Sequence, residues 1–275
     1  MAKLTTYQAD TRFASGDILI KDGTNGTRKI AASDAAVEFA GLVSAVNHRN
    51  IYRGKSLGTS VTAAQKAAIA NGTFDDLFIG DYWTIGSIKY RIADMDYWLN
   101  CGDTPTTKHH LVMIPDKTLY SAVMNDTNTT AGGYVGSKMY TTNLAQAKTT
   151  ISTAFGDMLL THREYLTNAV TAGAPSGGAW FDSTVELMNE PMVYGSHFFA
   201  PANNGVTVPT RYTINNSQLS IFRLNPTMIK GRETIWLRDV VSAATFAVVA
   251  SSGYTAYSGA SVSFGVRPDF AIVGN

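Results

Sequence analysis

Trp236-Leu237-Arg238 and Gly265-Val266-Arg267-Pro268, two short stretches near the end of the sequence, carry the strongest indication of how this chain folds. Each places an arginine beside a large apolar residue in a strand-like segment. A guanidinium in such a place needs carboxylates or backbone carbonyls as hydrogen-bond acceptors. We therefore expect Arg238 and Arg267 to be anchored inside a tightly packed sheet.

The stretch between these motifs, residues 239–264, is rich in small and hydroxyl-bearing side chains and contains two tyrosines. Recognition loops use this repertoire because it combines adaptable hydrogen bonding with aromatic contact. The sequence thus leaves two interpretations open here, a ligand-binding surface and an ordinary loop-rich end of a sheet. The candidate ligand-binding residues are Asp239, Ser242, Thr245, Ser252, Tyr254, Tyr257 and Ser258.

The composition argues against some classes of partner. The 275 residues carry 22 Lys and Arg against 21 Asp and Glu, a net charge of +1. This balance disfavours nucleic acid or an anionic membrane as the main partner. Cys101 is the single cysteine, so folding needs no intramolecular disulfide. The sequence shows no secretory signal and no apolar run of the roughly 20 residues that a spanning helix needs. We therefore expect synthesis in the cytoplasm and no membrane insertion.

The first 45 residues differ from the rest of the chain. Residues 17–21 have the pattern of a short strand, 22–26 that of a turn with two glycines, and 27–30 that of a returning strand. Because this unit has little apolar surface, an arm that orders against a partner is favoured over an independent domain. We divide the chain into an arm or hairpin module, 1–45, and one large domain, 46–275. The residues expected to carry attachment are Ile18, Ile20, Asp22, Gly23 and Ile30.

The large domain mixes the two hydrophobic periodicities. Spacings close to 3.6 indicate helices, and alternating apolar residues indicate strands. The sequence therefore predicts an α+β domain. Its predicted elements are a helix over 63–70, a hairpin over 81–92 feeding a third strand through 95–99, a strand over 110–114, an amphipathic helix over 144–159, an exposed loop over 201–218 and several short strands after 233.

No set of residues forms a recognisable metal or cofactor motif. The five histidines lack metal-ligand spacing. Residues 125–129 begin like a calcium loop, but Ala131 stands where that loop needs glycine. We expect no metal, no cofactor and no enzyme activity. A glycan-degrading enzyme, the weakest alternative, would draw its carboxylates from Asp94, Asp96 and Glu186.

Taken together, the two C-terminal motifs resemble the end of a C-type-lectin-like domain frequent in phage and prophage proteins of Gram-positive gut bacteria. Residues 82–91 resemble the opening W-x-I-x-G-x-x-W/Y-R run of that family, with the glycine one place early, and residues 133–140 resemble its central G-Y-x-x-S-x-M-Y run. The fold is similar to that of formylglycine-generating enzymes and of phage tropism determinants diversified by retroelements. The resemblance covers residues 50–273. The residues that carry the structural signature are Trp83, Tyr90, Arg91, Trp236, Arg238, Gly265 and Arg267.

This resemblance implies a C-type-lectin-like domain with irregular antiparallel sheets and one or two helices, preceded by the N-terminal hairpin or arm. It also implies that residues 239–264 form a receptor face. Separately, residues 13–42 resemble the N-terminal segments by which some phage fibre and head-decoration proteins attach to the particle, which implies that the arm binds other virion proteins. The copper-binding cysteine pair of formylglycine-generating enzymes is absent, and Asn189-Glu190-Pro191 is only a fragment of the lectin calcium tripeptide.

The expected function is that of a bacteriophage structural protein, a fibre or decoration protein of head or tail. It would be located on the virion as a homo-oligomer, with a trimer favoured, and would adhere to a host-surface glycan or protein. The alternative is a purely structural capsid or tail decoration protein that binds no ligand.

Overall fold

The computed structural model of the protein describes the residues of four ranges. These are 18–21, 28–31, 48–200 and 217–275. Most of the loop predicted over 201–218 lies outside them. Among the helices that the structure describes, none has the length and apolar character needed to span a bilayer.

The N-terminal segment contains an antiparallel pair of strands, as predicted. Strand β1 (Ile18–Lys21) pairs with β2 (Arg28–Ala31), and Leu19 lies opposite Ile30. Ile18 and Ile20 therefore lie on a paired strand as well, whereas Asp22 and Gly23 lie outside the described residues. The attachment role of this segment stays a prediction.

The first of two five-stranded sheets is antiparallel throughout. Strand β14 (Pro268–Val273) lies inside it, between β5 (His110–Pro115) and β9 (Val185–Leu187). Every residue of β5 and β14 is buried, so both faces of the sheet are covered at its centre. The strands, in spatial order, are β3 (Tyr82–Ile85), β4 (Ile88–Met95), β5 (His110–Pro115), β14 (Pro268–Val273) and β9 (Val185–Leu187).

The second five-stranded sheet contains one parallel pair, β10 (Ile235–Val240) with β13 (Ser263–Val266), in which Ile235 lies opposite Gly265. Its other pairs are antiparallel. Strand β12 forms one edge of this sheet. The strands, in spatial order, are β12 (Thr255–Gly259), β11 (Thr245–Val249), β10 (Ile235–Val240), β13 (Ser263–Val266) and β6 (Tyr120–Val123).

A long hairpin and several helices complete the described chain. The hairpin joins β7 (His162–Thr171) to β8 (Ala174–Ser183). The α-helices are α1 (Ala63–Ala70), α2 (Leu144–Phe155), α3 (Glu190–Tyr194) and α4 (Ser220–Leu224), and a π-helical turn, Met139–Asn143, precedes α2. Helices combined with mainly antiparallel sheets make this an α+β protein, which confirms the predicted class.

Helix α1 begins and ends where the sequence places it. The Thr62 hydroxyl accepts a hydrogen bond from the Gln65 amide, while the Gln65 side chain accepts one from the Thr62 amide. This reciprocal capping satisfies two amides that the first helical turn leaves without partners. After Ala70 the chain leaves the helix through Asn71 and Gly72, and Gly72 takes a φ of 66°.

Two predicted boundaries are wrong. Helix α2 ends at Phe155 instead of continuing to Leu159, because Gly156 takes a positive φ and starts a 3-10 turn. No third strand runs through residues 97–99, because Asp96 adopts a φ of 54° directly after β4 and turns the chain. Single positive-φ residues decide both boundaries, and hydrophobic periodicity does not reveal them.

The two arginines of the C-terminal motifs are anchored in the core, as predicted. Arg238 is 5% exposed and forms an ion pair with Glu164. Arg267 is 2% exposed and donates to the carbonyls of Pro115, at 2.9 Å, and Met228, at 3.1 Å. Burial lowers the pKa of Arg267 to about 10, because the protein encloses this guanidinium without a carboxylate hydrogen bonded to it.

The other signature residues hold the strands together. The buried indoles of Trp236 and Trp83 donate to the Ala122 carbonyl, at 2.9 Å, and to the Gln65 side chain, at 3.2 Å. At Gly265 a Cβ atom would lie 2.2 Å from the Thr118 Cγ2 atom, so any larger residue would displace the Thr118 side chain. Tyr90 is buried opposite Trp83 in the β3–β4 hairpin, and Arg91 forms an ion pair with Asp116.

Candidate functional site

Four exposed aromatic side chains lie on two segments of the chain that meet at the edge strand β12. Phe199 and Tyr257 lie with ring centroids 5.0 Å apart and planes at 70°. Phe198 packs edge-on against Tyr194, with centroids 5.6 Å apart. In the part of the chain that the structure describes, Val262 is the one other large apolar side chain with comparable exposure. We call the following residues, with their exposed fractions, the aromatic patch: Phe198 (59%), Phe199 (42%), Tyr254 (64%) and Tyr257 (54%).

The β11–β12 hairpin positions the two tyrosines. Gly253 takes a φ of 94° in the connecting turn, and its amide donates to the Ala250 carbonyl at 2.7 Å. Across the same turn, the Ala250 amide donates to the Tyr254 carbonyl at 2.9 Å. Because side chains alternate along a strand, Thr255 and Tyr257 lie on the same face of β12.

Helix α3 and the residues after it position the two phenylalanines. The Asn189 side chain caps the helix by accepting from the Met192 amide at 2.8 Å. The helix ends at Gly195, which adopts a left-handed φ of 80° and reverses the chain direction. This reversal brings Phe199 onto Tyr257 of β12.

The Glu190 carboxylate ties these two parts together. Its Oε2 atom accepts hydrogen bonds from the amides of Phe198, at 3.1 Å, and Ala200, at 3.0 Å. Its Oε1 atom accepts from the Phe199 amide, at 3.2 Å, and from the Thr255 hydroxyl, at 3.1 Å. The Glu190 residue is fully buried, so these four donors replace the water that the carboxylate loses.

Asp239 supports Glu190 from below the patch. Its Oδ2 atom accepts from the Glu190 amide at 2.6 Å. Burial and the nearby Glu190 carboxylate raise the pKa of Asp239 to about 6, while His197 opposes this shift. The Tyr194 hydroxyl donates to the Gly253 carbonyl at 3.1 Å and adds a further link between α3 and the hairpin.

The structure divides the seven predicted ligand-binding residues among different places. Tyr254 and Tyr257 belong to the aromatic patch, and exposed Ser252 lies in the turn that precedes them. Ser242 and Thr245 lie at the other end of β11, where their hydroxyls are 2.7 Å apart. Ser258 is half-buried on the face of β12 opposite Tyr257, and the Asp239 carboxylate is directed at the Glu190 amide.

Sequence reasoning missed the other half of the patch. Phe198 and Phe199 are adjacent aromatic residues immediately before a segment rich in turn residues, and that was the available signal. The sequence indicated Glu190 only as part of a fragment of the lectin calcium tripeptide. Its role depends on contacts with Thr255, which is far away in the sequence.

A buried group of charges lies around Arg238, separate from the patch. The Glu164 carboxylate contacts both Arg238 and the His162 Nε2 atom, the latter at 2.9 Å, and the His162 ring stacks on Trp98 with centroids 3.8 Å apart. Burial and the Glu164 charge raise the pKa of Glu186 to about 7, and the Tyr134 hydroxyl donates to Glu186 at 2.8 Å. These groups are buried and act within the core.

The remaining candidate carboxylates have protein partners. Asp94 is buried and forms an ion pair with Arg49, and Asp96 accepts from the His110 amide at 2.9 Å. In the calcium-like loop, the Lys138 ammonium lies 2.6 Å from Asp126. Among the described residues, no group of three or more His, Cys, Asp and Glu side chains could hold a metal ion.

A groove of about 630 Å³ lies elsewhere on the surface, next to the start of β7. Its lining includes Thr104, Lys108, Thr161 and Arg163 but no Phe, Tyr or Trp. Arg163 forms ion pairs with Asp103, at 2.7 Å, and with Asp182, at 2.8 Å. The groove therefore offers mixed charges that partly neutralise one another, whereas the aromatic patch offers exposed rings.

Comparison with protein-family models, with curated proteins and with solved structures finds no match for this chain. The functional argument therefore depends on the geometry of its own residues.

Proposed function

We propose that this protein is an adhesion protein of a bacteriophage particle, and that it binds a saccharide of the host surface through the aromatic patch. The observation that carries this proposal is the exposure of the four rings, which no described element covers. Exposed apolar groups gathered at one place are typical of interaction sites.

The chemistry around the rings favours a carbohydrate. The apolar C–H face of a sugar packs on aromatic rings, while its hydroxyls need hydrogen-bonding groups nearby. The patch provides the ring faces, and the exposed hydroxyls of Ser196, Ser251 and Ser252 lie on the adjoining segments. With a net charge of +1 and 16% charged residues, the protein has no charge excess suited to a strongly ionic ligand.

Particle attachment is proposed for the N-terminal hairpin. Its support is the resemblance of residues 13–42 to arms of phage fibre and decoration proteins, together with the β1–β2 pairing. The lectin-like assignment of residues 46–275 is part of the same proposal. Its support is the α+β architecture, in which both arginines of the C-terminal motifs are anchored in the core.

The alternative function is a decoration protein whose aromatic patch joins copies of the chain. The edge position of β12 favours it, because an edge strand can pair with a strand of another copy. Under this alternative, Tyr257→Ala changes the oligomeric state in sedimentation velocity and leaves the binding of saccharides unaffected. Under the adhesion proposal the variant keeps the wild-type oligomeric state.

Replacing Tyr257 with alanine is expected to weaken saccharide binding about tenfold, because the change removes one stacking ring. The measurement is biolayer interferometry on an immobilised panel of bacterial wall and capsular glycans. Tyr257→Phe keeps the ring and should bind nearly as wild type. Val262→Ala, a change at an exposed apolar residue outside the patch, should have no effect. Wild-type protein that binds no glycan of the panel, or binding that survives Tyr257→Ala unchanged, would contradict the proposal.

A further inference from the structure

We infer that Glu190 is a positioning residue, whose buried carboxylate holds Phe199 against Tyr257 and so assembles the recognition surface before ligand arrives. This inference rests on the proposed function, because it concerns the geometry of the same patch. Glu190 itself is 0% exposed, so a ligand at the surface cannot reach its carboxylate.

The hydrogen bonds of Glu190 join two segments that the sequence separates. Three donors are consecutive backbone amides, those of Phe198, Phe199 and Ala200, at 3.0–3.2 Å. The fourth donor is the Thr255 hydroxyl, on the same face of β12 as Tyr257. One carboxylate therefore fixes the backbone under the phenylalanine rings and the strand that carries the tyrosine.

A carboxylate suits this position better than an amide does. An ionised carboxylate only accepts hydrogen bonds. Each of its two oxygens can accept from two donors, which is the number that each Glu190 oxygen has. In glutamine one oxygen becomes an NH2 group, whose hydrogens would face backbone amides that also donate. At least one amide would then lose its partner inside the protein, where an unpaired polar group is costly.

Fixing the rings in advance matters for binding. If a short segment becomes ordered only when the ligand binds, the conformational entropy that it loses makes the binding free energy less favourable. Holding Phe199 and Tyr257 at a centroid distance of 5.0 Å in the free protein removes that loss. The inference therefore predicts that Glu190 affects affinity without contacting the sugar.

The test is hydrogen exchange of backbone amides in the full-length protein, comparing wild type with Glu190→Gln. We expect the amides of Phe198, Phe199 and Ala200 to exchange about tenfold faster in the variant, because their acceptor is impaired. The amides of Phe270 and Ala271 in β14 report on the whole fold and should keep their protection. The nuclear Overhauser effect between the Phe199 and Tyr257 rings should weaken.

A second variant keeps the inference testable if Glu190→Gln does not fold. Thr255→Val removes only the link to β12, so the three amides should stay protected while the contact between the two rings weakens. Unchanged ring contact in this variant, or unchanged amide exchange in a folded Glu190→Gln protein, would overturn the inference.

Binding of soluble Gram-positive wall fragments, measured on the same samples, separates the two claims. Faster amide exchange in the variant, with no binding by wild type, would leave the positioning role intact and remove the adhesion function. The opposite outcome is that wild type binds, and that the Glu190→Gln protein binds equally well and exchanges its amides no faster. This outcome would leave the adhesion function intact and remove the positioning role. We expect faster exchange together with about tenfold weaker binding.

Discussion

Replacing Arg238 with methionine is expected to lower the free energy of unfolding by about 3–5 kcal/mol, because it leaves the Glu164 charge buried without its cation. Glu164 is 0% exposed, and the Arg238 guanidinium both pairs with it and donates to the Leu187 carbonyl at 3.2 Å. Methionine fills similar space but supplies neither charge nor donor. The measurement is urea unfolding followed by tryptophan fluorescence at pH 7.

Two control variants separate the buried charge from a general effect of losing a cation. Lys138→Met breaks the ion pair with Asp126, in which the two side chains are 41% and 72% exposed, and should cost less than about 1 kcal/mol. Adding Glu164→Gln to Arg238→Met removes the unpaired charge and should restore part of the stability. Equal losses for Arg238→Met and Lys138→Met would show that the Arg238 ion pair is not a core interaction.

Raising the pH from 5 to 8 is expected to destabilise the protein, and Glu186 should account for about 2–3 kcal/mol of the change. Burial, reinforced by the Glu164 charge, raises the pKa of Glu186 from 4.5 to about 7. Between these two values the folded state binds more protons than the unfolded state. The stabilisation is therefore complete below about pH 4.5 and is lost as the pH rises through 7.

Glu186→Gln is the matched variant for this effect. Its amide stays neutral, and its carbonyl oxygen can still accept the Tyr134 hydroxyl. Urea unfolding at several pH values should give a flatter dependence for this variant, and higher stability than wild type at pH 8. Asp239, whose pKa burial also raises, remains in both proteins and cancels in the comparison. The Glu186 charge contributes to the raised pKa of Asp269, so Glu186→Gln also lowers that pKa and flattens the dependence further. Identical slopes for the two proteins would contradict the explanation.

The sequence predicted those elements whose signals are local. The sequence predicted helix α1 over 63–70 and the β3–β4 hairpin within 81–92, since each depends on a few neighbouring residues. The anchoring of Arg238 was also predictable, because a guanidinium in the core needs hydrogen-bond acceptors. The third strand through residues 97–99 failed because one residue, Asp96, turns the chain.

Only half of the aromatic patch was predictable, because only the tyrosines have a local signal in the sequence. The repertoire of residues 239–264 indicated Tyr254 and Tyr257, but nothing local links them to Phe199. That contact arises from the reversal at Gly195 and from a carboxylate whose hydrogen bonds reach Thr255. Long-range pairings of this kind depend on the tertiary fold, which periodicity and composition do not encode.

The most direct measurement of the central claim is a nuclear magnetic resonance titration of the protein, with its aromatic rings labelled, using the wall glycan that binds best in the panel. The ring signals of Phe199 and Tyr257 should shift with glycan concentration. The signals of Trp180, whose carbonyl accepts from the groove residue Arg163, should stay in place. Shifts at Trp180 with none at Phe199 and Tyr257, or no shifts at any ring, would contradict the assignment of recognition to the aromatic patch.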